Sequence, residues 1–530
     1  MDKTNLLIAP EYYNLAQDID RYADDPGKIA VLWENERGET REISYLQLRQ
    51  ESNKFANALK RIGLQKGDKV IITLPRIPET YSIYLGALKL GLIISPGSEM
   101  LMAKDLLYRA MHSQAKATIC NDELIERFDQ VRRDAEHLTH FIAVGKGADG
   151  WLNYGSLVES ESDQFEMVQT RSDDIAFLNY TSGTTGNPKG VIHHHSWAFA
   201  HQAVAAKLWL DIKETDIVWA TAAPGWAKWN WSPFVSTLGS GATGFVYNGK
   251  FDAQKYLSLL EKYQVNVLCC TPTEYRLMAK VDGLDQYKLP QLRSTVSAGE
   301  PLNRQVIDTF RKHFHVDVRD GYGQTENSLM VGTWMGMDLK LGSMGKPTPG
   351  NRVEIIDEDG NPVPVGQVGD IAIHRSTPAL FKGYLNDPER TAAAFRGEWY
   401  LTGDQAKKDE DGYFWFEGRS DDIIISSGYT IGPFEVEDAL VKHPAVKESA
   451  VVASPDEIRG AIVKAFVILK DSNEASEELV RQLQEHVKNM TAPYKYPREI
   501  EFVTELPKTS SGKIRRVELR QLEKQKKVTV

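Results

Sequence analysis

The chain has 530 residues, of which 63 are Lys or Arg and 73 are Asp or Glu, so its formal net charge is −10 at neutral pH. With 42% hydrophobic and 26% charged residues, the composition is that of a globular protein and excludes an intrinsically disordered chain. The acidic balance disfavours a nucleic-acid ligand, because proteins that bind nucleic acid usually carry a basic face. At about 150 residues per domain, the length predicts three or four structural units.

The cysteines and the N-terminus predict where the protein resides. The three cysteines, Cys120, Cys269 and Cys270, include an adjacent pair, which indicates reduced thiols rather than a disulfide framework. The N-terminus lacks the apolar run of a secretory signal, and no stretch of about 18 apolar residues predicts a transmembrane helix. We therefore expect a cytoplasmic protein without integral membrane segments.

The first part of the chain alternates between helical and strand patterns. Ser44 is a candidate cap for a helix that ends near Gly63, and the apolar run Lys69–Leu74 predicts a strand that Pro75 ends. A helix then runs to Leu88, and the pattern recurs as a strand at Ile175–Tyr180, a helix at Phe251–Tyr263, a strand at Val265–Cys270 and a helix after Pro272. Strands that alternate with helices predict parallel sheets covered by helices, an α/β domain.

The pattern changes after Gly332. Short strands are predicted at Val353–Asp357 and Gly369–His374, so we expect a β-rich subdomain at about 335–418. The polar stretch Gly418–Asp422 marks a domain boundary. Beyond it the chain predicts strands at Ile423–Ile425, Glu448–Ala453, Ala461–Leu469 and Glu499–Val503, and helices at Phe434–Lys442 and Ser476–Met490. We therefore predict an α/β N-terminal domain over residues 1–420 and a small α+β domain over residues 421–530.

A loop rich in Ser, Thr and Gly follows the strand predicted at Ile175–Tyr180. Residues 181–186 read Thr-Ser-Gly-Thr-Thr-Gly, and Lys189 follows Asn-Pro. Exposed backbone N–H groups and hydroxyls can surround phosphate oxygens, to which the lysine adds a positive charge. The loop is not a P-loop of the nucleoside-triphosphatase type, because Gly rather than Ser or Thr follows the lysine. A plain turn is the alternative interpretation.

This loop resembles the signature loop of the adenylate-forming superfamily, which includes acyl-CoA synthetases, the adenylation domains of peptide synthetases and luciferases. The likeness extends in the family's motif order from about residue 20 to the end of the chain, and medium-chain acyl-CoA synthetases are the most similar group. The resemblance implies that the loop binds the β- and γ-phosphates of ATP and that Thr184 takes part in catalysis. The loop residues concerned are Thr181, Ser182, Gly183, Thr184, Thr185, Gly186 and Lys189.

Two further motifs follow predicted strands and resemble the family's adenine site. The first contains Gly299, Glu300 and Pro301. The second reads Asp-Gly-Tyr-Gly-Gln-Thr-Glu at residues 320–326, where an aromatic ring can cover a base and a carboxylate can bind Mg²⁺. The resemblance assigns the base, a phosphate and Mg²⁺ to Tyr322, Thr325 and Glu326, with Glu326 also catalytic. The other ATP-binding residues that it implies here are Asp320, Gly321 and Gln324.

The resemblance continues beyond residue 400. Asp404 follows a strand-like run and is suited to hydrogen-bond two ribose hydroxyls, with Arg419 beside it. Asp421 occupies the family's hinge, about which the C-terminal domain rotates between two half-reactions. The segment Ser427, Gly428, Tyr429 resembles the strand that lines the CoA tunnel. The following residue, Thr430, departs from the pattern, since most relatives have Arg there.

Lys513 follows a Ser/Gly turn at residues 509–512. An ammonium group there can stabilise the negative charge that develops at the α-phosphorus, and the resemblance makes it catalytic. The alternative is a surface lysine in the basic tail Lys513–Lys527, which predicts a solvated amphipathic helix. Family members are commonly acetylated on this lysine, so a lysine acetyltransferase and a deacetylase are expected partners.

The resemblance implies a two-step reaction. A carboxylate attacks the α-phosphate of MgATP to give acyl-adenylate and pyrophosphate, and the thiol of CoA then displaces AMP. ATP, Mg²⁺ and CoA are the expected cofactors and cosubstrates. Amino-acid-activating relatives keep an Asp for the substrate ammonium, and the comparable stretch Ala223–Trp229 contains no acid. Amino-acid substrates are therefore disfavoured.

The expected acyl chain depends on Gly323. Acetate-activating relatives have Trp immediately before the Gln-Thr-Glu of this motif, so Gly323 predicts room for several more carbons, at about fourfold in affinity per CH₂. We expect a medium-chain, branched-chain or aromatic acid. Trp226 resembles the residue that gates the acyl site, although core packing is the alternative for both Trp226 and Trp229. Lys228 either faces the surface or attracts a second carboxylate.

Two other functions share these motifs. An adenylate-forming enzyme with another acceptor, such as a luciferase-like oxygenase, would have the same fold. A non-enzymatic AMP sensor is disfavoured, because Lys513, Glu326, Asp404 and the phosphate loop are intact. The sequence leaves open whether the protein is a monomer or a homodimer.

Overall fold

The computed structural model describes residues 3–181, 187–300, 302, 304–420, 422–426, 429–456, 460–471, 475–491, 494–508 and 513–528. The chain forms two compact units. Unit 1 comprises Met1–Val353 and Ile373–Phe395, and unit 2 comprises Glu354–Ala372 and Arg396–Val530.

The elements of residues 3–353 alternate as the sequence predicts. The strands are β1 (Ile29–Asn35), β2 (Thr40–Ser44), β3 (Lys69–Thr73), β4 (Ile93–Pro96), β5 (Ala117–Asn121), β6 (His140–Val144), β7 (Leu152–Asn153), β8 (Ile175–Thr181), β9 (Lys189–His194), β10 (Ile217–Ala220), β11 (Thr243–Asn248), β12 (Val267–Cys270), β13 (Ser294–Ala298), β14 (Val318–Tyr322), β15 (Val331–Gly332) and β16 (Lys346–Pro347). The helices are α1 (Ala16–Asp20), α2 (Tyr45–Arg61), α3 (Pro78–Lys89), α4 (Ala103–Ser113), α5 (Ile125–Val131), α6 (Tyr154–Glu159), α7 (His195–His201), α8 (Ala227–Trp229), α9 (Ala253–Lys262), α10 (Pro272–Met278) and α11 (Arg304–Phe314). Two π-helical segments continue α7 and α8, at Gln202–Trp209 and Asn230–Leu238, and 3-10 helices lie at Lys3–Leu7, Arg21–Asp24, Asp122–Leu124 and Leu284–Gln286.

These strands form two large sheets. One has nine strands in the order β16-β15-β14-β13-β12-β10-β11-β1-β2, and the other has seven in the order β7-β6-β5-β3-β4-β8-β9. The central strands are parallel, for example β12–β13–β14 and β4–β3–β5, whereas the outer pairs β1–β2, β14–β15 and β8–β9 are antiparallel. The prediction of parallel, helix-covered sheets is confirmed, with antiparallel strands added at the edges.

Local sequence explains where the helices begin. The Ser44 side chain accepts a hydrogen bond from the Gln47 N–H, and the Gln47 side chain accepts one from the Ser44 N–H, so α2 begins with a capping box. Pro272 is the first residue of α10, where its missing N–H has no intrahelical partner to lose. Leu48, Phe55 and other apolar residues of α2 are buried, as their helical spacing predicts.

The remaining elements follow residue 353. The strands are β17 (Val353–Ile356), β18 (Val368–His374), β19 (Phe395–Arg396), β20 (Trp399–Lys408), β21 (Phe414–Arg419), β22 (Ile424–Ser426), β23 (Tyr429–Ile431), β24 (Val446–Asp456), β25 (Gly460–Leu469) and β26 (Glu499–Phe502). The helices are α12 (Pro388–Ala393), which lies in unit 1, and α13 (Pro433–Val441), α14 (Glu477–Met490) and α15 (Arg516–Val528).

Unit 2 contains small sheets on both sides of residue 421. A five-stranded sheet has the order β17-β18-β20-β19 with β21 on β20, β22 and β23 form a hairpin, and β24-β25-β26 form a third sheet. The C-terminal core includes Ile424, Leu440 and Leu483. The Phe416 and Phe434 rings lie 5.1 Å apart, so β21 packs against α13. The predicted boundary after residue 420 stays a prediction, and Asp421 lies outside the described residues.

All three cysteines are buried and form no disulfide. Burial raises the pKa of the Cys120 and Cys270 thiols above their usual range, which keeps them in the protonated form. Within the described ranges, none of the helices is both long enough and apolar enough to cross a bilayer.

Candidate nucleotide and acyl site

The motifs of unit 1 lie where parallel strands end. Gly299 and Glu300 follow β13, and Tyr322 is the last residue of β14, the neighbouring parallel strand. The carboxyl ends of neighbouring parallel strands meet at one edge of a sheet, which is the usual ligand-binding edge of open α/β sheets. The structure thus brings the two predicted adenine motifs to adjacent positions.

The predicted phosphate loop connects an antiparallel pair of strands. Thr181 at the end of β8 pairs with Lys189 at the start of β9. The Thr181 hydroxyl is buried and has no hydrogen-bond partner among the residues that the structure describes, so it is a polar atom available to a ligand. The other predicted residues of this loop, Ser182, Gly183, Thr184, Thr185 and Gly186, lie outside the described residues.

Lys189, Glu326 and Tyr384 form a polar cluster. The Tyr384 hydroxyl donates to Glu326 Oε1 at 3.0 Å, and Lys189 Nζ lies 3.2 Å from the same hydroxyl and 3.9 Å from Glu326 Oε1. The Glu326 side chain is 10% exposed and the Lys189 side chain 25% exposed. A nearly buried carboxylate beside an ammonium group is suited to a metal–phosphate ligand. Sequence reasoning identified Lys189 and Glu326 but missed Tyr384, which belongs to none of the motifs.

Two aromatic N–H groups and one histidine ring nitrogen hold the segment that carries Glu326. His193 Nε2 donates to the Thr325 carbonyl at 2.5 Å, and Trp197 Nε1 donates to the Asn327 carbonyl at 2.9 Å. His201 Nδ1 lies 2.6 Å from the Ser328 hydroxyl. Trp197 and His201 are four residues apart on α7, so their side chains share one helix face. Residues 325–328 are therefore held at three successive points, a role that the sequence analysis did not detect.

His193, His201 and the neighbouring His195, which contacts the Leu15 N–H instead of this segment, are neutral because they are buried. Burial lowers the pKa of His193 to about 4, that of His195 to about 4 and that of His201 to about 3. Because a carbonyl oxygen only accepts hydrogen bonds, the proton of His193 resides on Nε2. The N–H donor that holds the Thr325 carbonyl is thus present at physiological pH.

The predicted adenine segment has a strained backbone conformation that suits glycine. Gly299 has φ +103°, a value that residues with a Cβ rarely adopt, while no atom would obstruct a Cβ there. The Glu300 carboxylate accepts hydrogen bonds from Thr273 Oγ1 at 2.9 Å and Arg276 Nη2 at 2.8 Å. Pro301 lies outside the described residues.

Tyr322 is half-buried at the end of β14, and Gln324 and Thr325 follow it in the adjoining turn. Asp320 lies within β14, and burial raises the pKa of its carboxyl to about 7, although the Gly321 N–H bound to it and the nearby Lys228 act in the opposite direction. Asp320 and Gly321 pair with Ser297 and Ala298 of β13, so both predicted motifs are fixed by one parallel ladder.

Asp404 and Arg419 lie side by side in unit 2. They are cross-strand partners in the β20–β21 pair, with Arg419 Nη1 3.3 Å from Asp404 Oδ1. The Asp404 side chain is 6% exposed and that of Arg419 42% exposed. The prediction that Asp404 follows a strand is wrong, since Asp404 lies inside β20, where Gly403 precedes it with φ +74°. The glycine allows a local twist within the strand, so the strand continues past the turn-like Gly-Asp pair.

Gly323 packs against protein rather than open space. A Cβ at this position would lie 2.0 Å from the Ser328 carbonyl oxygen and 3.1 Å from the tip of the Trp231 indole. Trp231, which sequence reasoning did not single out, therefore occupies part of the volume beside Gly323. Trp231 is buried, with 8% of its surface exposed, and its carbonyl oxygen lies 3.1 Å from His201 Nε2. The sequence around Trp231 gives no sign that it lies beside Gly323, because this contact depends on tertiary structure.

The neighbouring residues after β10 differ in burial. Trp229 is 1% exposed and stacks on Phe234, so the core-packing interpretation holds for it. Trp226 is half-buried immediately before α8. The Lys228 ammonium is buried 5.3 Å from the centre of the Trp209 ring and has no hydrogen-bond partner in the described part of the chain, so it does not face solvent.

The predicted CoA segment and hinge are only partly described. Asp421, Ser427 and Gly428 lie outside the described residues, whereas Tyr429 is the first residue of β23. Lys513 is exposed and directly follows residues outside the described ranges. Its predicted amphipathic tail is confirmed as the helix α15.

Family models match both parts of the chain. The model described as AMP-binding enzyme matches residues 20–385, and the model described as AMP-binding enzyme C-terminal domain matches residues 435–513. The chain belongs to the AMP-binding enzyme family. Within it, the chain belongs to the AMP-forming acyl-CoA ligases, a class of acid–thiol ligase that consumes ATP and CoA.

Relatives cover almost the whole chain. An uncharacterised acyl-CoA ligase of Bacillus subtilis, YtcI, is 60% identical over 99% of both chains, and human mitochondrial acyl-coenzyme A synthetase ACSM3 is 44% identical over 98% of this chain and 91% of its own. The crystal structure of the anthranilate CoA ligase AuaEII with anthranoyl-AMP matches with a TM-score of 0.91 at 32% identity, over the full length of both chains. A benzoate CoA ligase from Burkholderia xenovorans matches with a TM-score of 0.83 at 31% identity, over 96% of this chain and 100% of its own.

Proposed function

We propose that the protein ligates a medium-chain, branched-chain or aromatic carboxylic acid to CoA. In the first step the carboxylate attacks the α-phosphorus of ATP, the bond to pyrophosphate breaks and an acyl-adenylate forms. In the second step the CoA sulfur attacks the acyl carbon, its proton is lost and AMP leaves. The substrate assignment rests on Gly323, where acetate-activating relatives have Trp; in this fold the Ser328 carbonyl and the Trp231 indole occupy the space beside the glycine.

The proposed nucleotide site in unit 1 uses the strand-end motifs. Residues 181–186 and Lys189 bind the terminal phosphates, Gly299–Pro301 and Tyr322 enclose adenine, and Thr325 binds a phosphate. The buried Thr181 hydroxyl supports this assignment, since it lacks a partner among the described residues. Asp320, Gly321, Gln324 and Glu300 are proposed to bind ATP at the same site, where Asp320 and Gly321 also join β14 to β13.

Glu326 is the proposed protein ligand of Mg²⁺. The Tyr384 hydroxyl donates to one of its oxygens at 3.0 Å and so orients the carboxylate. One or two carboxylates together with substrate phosphates are the usual ligands of nucleotide-bound Mg²⁺, so a single glutamate fits this ion. The ion would offset negative charge on the phosphates, and Lys189 beside Glu326 adds a second positive charge.

The proposed roles in unit 2 follow the resemblance residue by residue. Asp404 binds the ribose hydroxyls, oriented by Arg419 at 3.3 Å, and Lys513 stabilises charge at the α-phosphorus. Asp421 is the proposed hinge, and residues 427–429 bind the pantetheine arm of CoA. A cytoplasmic location, a monomeric or homodimeric state, acetylation of Lys513 and the effect of Thr430 all remain predictions.

The test is CoA-dependent AMP release with acetate, butyrate, isobutyrate, 2-methylbutyrate, hexanoate, octanoate and benzoate. We expect turnover with acids of four or more carbons and none with acetate. Turnover with acetate alone would overturn the substrate assignment. Adenylate formation that CoA does not accelerate would favour another acceptor, and light emission or CO₂ release without CoA would favour the luciferase-like alternative.

A matched pair of variants tests the pocket wall. Trp231→Phe removes part of the indole beside Gly323, whereas Trp219→Phe makes the same change at a tryptophan that packs on Phe245 and Tyr256. Only Trp231→Phe should raise the ratio of kcat/KM for octanoate to that for butyrate, by about fourfold per additional CH₂ accommodated. Equal ratios in the two variants would remove Trp231 from the acyl pocket.

A further inference from the structure

Lys513 stands at the end of a loop whose base is closed by backbone pairing. Lys508 and Ile514 form an antiparallel bridge, and the Arg515 N–H donates to the Pro507 carbonyl at 2.8 Å. The two sides of the loop therefore meet one residue after Lys513, and any group that fixes the base limits where Lys513 can reach.

One ion pair fixes this base to the helix α13. The Arg516 guanidinium donates to the Glu437 carboxylate three times, from Nε at 3.1 Å and from Nη2 at 2.9 and 2.7 Å. Both side chains are 10% exposed. Glu437 Oε1 also accepts the Val451 N–H at 2.7 Å, and the guanidinium lies over the Phe434 ring at 4.5 Å. Arg516 is thus held by a charged, multiply hydrogen-bonded contact with Glu437 and by stacking of its planar guanidinium on the Phe434 ring.

Two neighbouring ion pairs lack these features. Lys508 Nζ lies 2.8 Å from Glu448 Oε1, but the two side chains are 40% and 33% exposed. The side chains of Arg515 and Glu518, which also form an ion pair, are 48% and 35% exposed. Exposed pairs are screened by water and constrain their side chains little. Of these three ion pairs, the Glu437–Arg516 pair is the buried one, so it is the pair that can hold the base of the loop in place.

We propose that Glu437 and Arg516 are positioning residues for Lys513. They hold the residue three positions after Lys513 against α13, so that the lysine ammonium has a restricted range when the acyl-adenylate forms. Neither side chain touches a reacting atom in this scheme. The inference rests on the proposed role of Lys513 in adenylation, and it predicts a defect confined to the half-reaction that uses Lys513.

The test compares two double substitutions. Glu437→Gln/Arg516→Met removes both charges of the buried pair, which avoids leaving one charge buried alone. Glu518→Gln/Arg515→Met removes the exposed pair at the start of α15 as a matched control. Each full-length protein is assayed for ATP–pyrophosphate exchange with hexanoate and, separately, for hexanoyl-CoA formation from supplied hexanoyl-adenylate. If hexanoate is not turned over, the fastest acid of the panel and its adenylate are used.

We expect Glu437→Gln/Arg516→Met to slow pyrophosphate exchange by about 10- to 100-fold, because small misplacements of a catalytic group have effects of this size. Thioester formation from the supplied adenylate should be unchanged, and the control should change neither rate. In a Lys513→Ala background, the same double substitution should slow exchange no further, because there is no longer a lysine to position.

Three results would overturn the inference. Unchanged exchange in Glu437→Gln/Arg516→Met, equal losses in both half-reactions, or a further loss in the Lys513→Ala background would each reduce the pair to a structural contact. If the double variant does not fold, Arg516→Lys is tested instead, because it keeps the positive charge but loses the planar set of guanidinium donors. It should slow pyrophosphate exchange, to a smaller extent, and leave thioester formation unchanged. Full exchange activity in Lys513→Ala alone would instead refute the proposed role of Lys513.

Discussion

The segment that carries Glu326 and the loop that carries Lys513 are held in opposite ways. Residues 325–328 are fixed along their length by His193, Trp197 and His201, and the Glu326 carboxylate itself accepts a hydrogen bond from Tyr384. Lys513 is exposed, and the Lys508–Ile514 bridge and the Glu437–Arg516 ion pair hold the base of its loop.

This difference separates two ways to place a charged group. A carboxylate fixed by direct hydrogen bonds keeps one geometry, so a substitution at any of its partners acts on the group itself. A lysine next to an anchored loop base is placed through the backbone, so substitutions at the anchor act on it indirectly. The first arrangement suits a group that serves the same ligand throughout turnover, and the second suits one that is used in one step only.

The largest expected effect comes from removing the fixed charge. Glu326→Gln should lower ATP–pyrophosphate exchange by about 10²- to 10³-fold, the usual cost of losing a preorganised electrostatic group. Titration with Mg²⁺ checks the cause, since the variant should need more Mg²⁺ to reach its own maximum. Glu214→Gln, at a side chain that is 60% exposed and paired with Lys28, is the control and should behave as the wild type. An unchanged Mg²⁺ requirement would exclude Glu326 as the ligand.

Acid should destabilise the fold through three buried histidines, two of which, His193 and His201, contact the fixed segment. His193, His195 and His201 have folded-state pKa values of about 4, 4 and 3, below the value of about 6.5 expected when unfolded. Protons therefore bind the unfolded chain first, and stability is full above about pH 6.5 and falls towards pH 4, by up to about 1.4 kcal/mol per pH unit for each histidine. Urea midpoints measured from pH 7 to pH 4.5 check this slope. His201→Gln should make it shallower, and an equal slope in that variant would contradict the assignment.

A smaller effect is expected from the partner of Glu326. Tyr384→Phe deletes one hydrogen bond to a charged group, which contributes about 1.5–3 kcal/mol, so exchange should fall by about 10- to 100-fold. The Mg²⁺ requirement should stay closer to that of the wild type than in Glu326→Gln, because the carboxylate is retained. A loss as large as that of Glu326→Gln would mean that Tyr384 does more than orient the carboxylate.

The smallest effect is expected at the exposed side of the Lys513 loop. Lys508→Met breaks only the solvent-exposed pair with Glu448 and should change the free energy of unfolding by less than about 1 kcal/mol. Denaturant titration checks stability, and pyrophosphate exchange should match the wild type. A large loss of exchange would show that Lys508 as well as Arg516 positions Lys513. The Lys513 loop would then be held as closely as the segment that carries Glu326.

Sequence patterns predicted the fold well where the physical signal is local. The capping box at Ser44, Pro272 at the start of α10 and the tail helix α15 all lie close to their predicted places, because caps, proline and apolar spacing act over a few residues. The position of Asp404 was wrong, since a Gly-Asp pair that usually signals a turn lies inside β20.

The supporting contacts were beyond the reach of motif reasoning. Tyr384 lies 58 residues from Glu326, and His193 lies 132 residues from Thr325, so only the folded sheet brings them together. Trp231 is one of several tryptophans in an apolar stretch, and its place beside Gly323 depends on how its helix packs. Motifs thus predicted the groups proposed to meet substrate, whereas the groups that hold them depend on tertiary structure.

The helix α15 has a second anchor with a practical consequence for building hybrid ligases. Arg520, four residues after Arg516, forms an ion pair with Asp422, so one helix contacts both α13 and the start of the segment after the proposed hinge. A fusion junction placed after Asp422 would take this aspartate from one parent and Arg520 from another. A junction placed before residue 421 transfers both partners together and keeps the Lys513 loop attached to the scaffold with which it evolved.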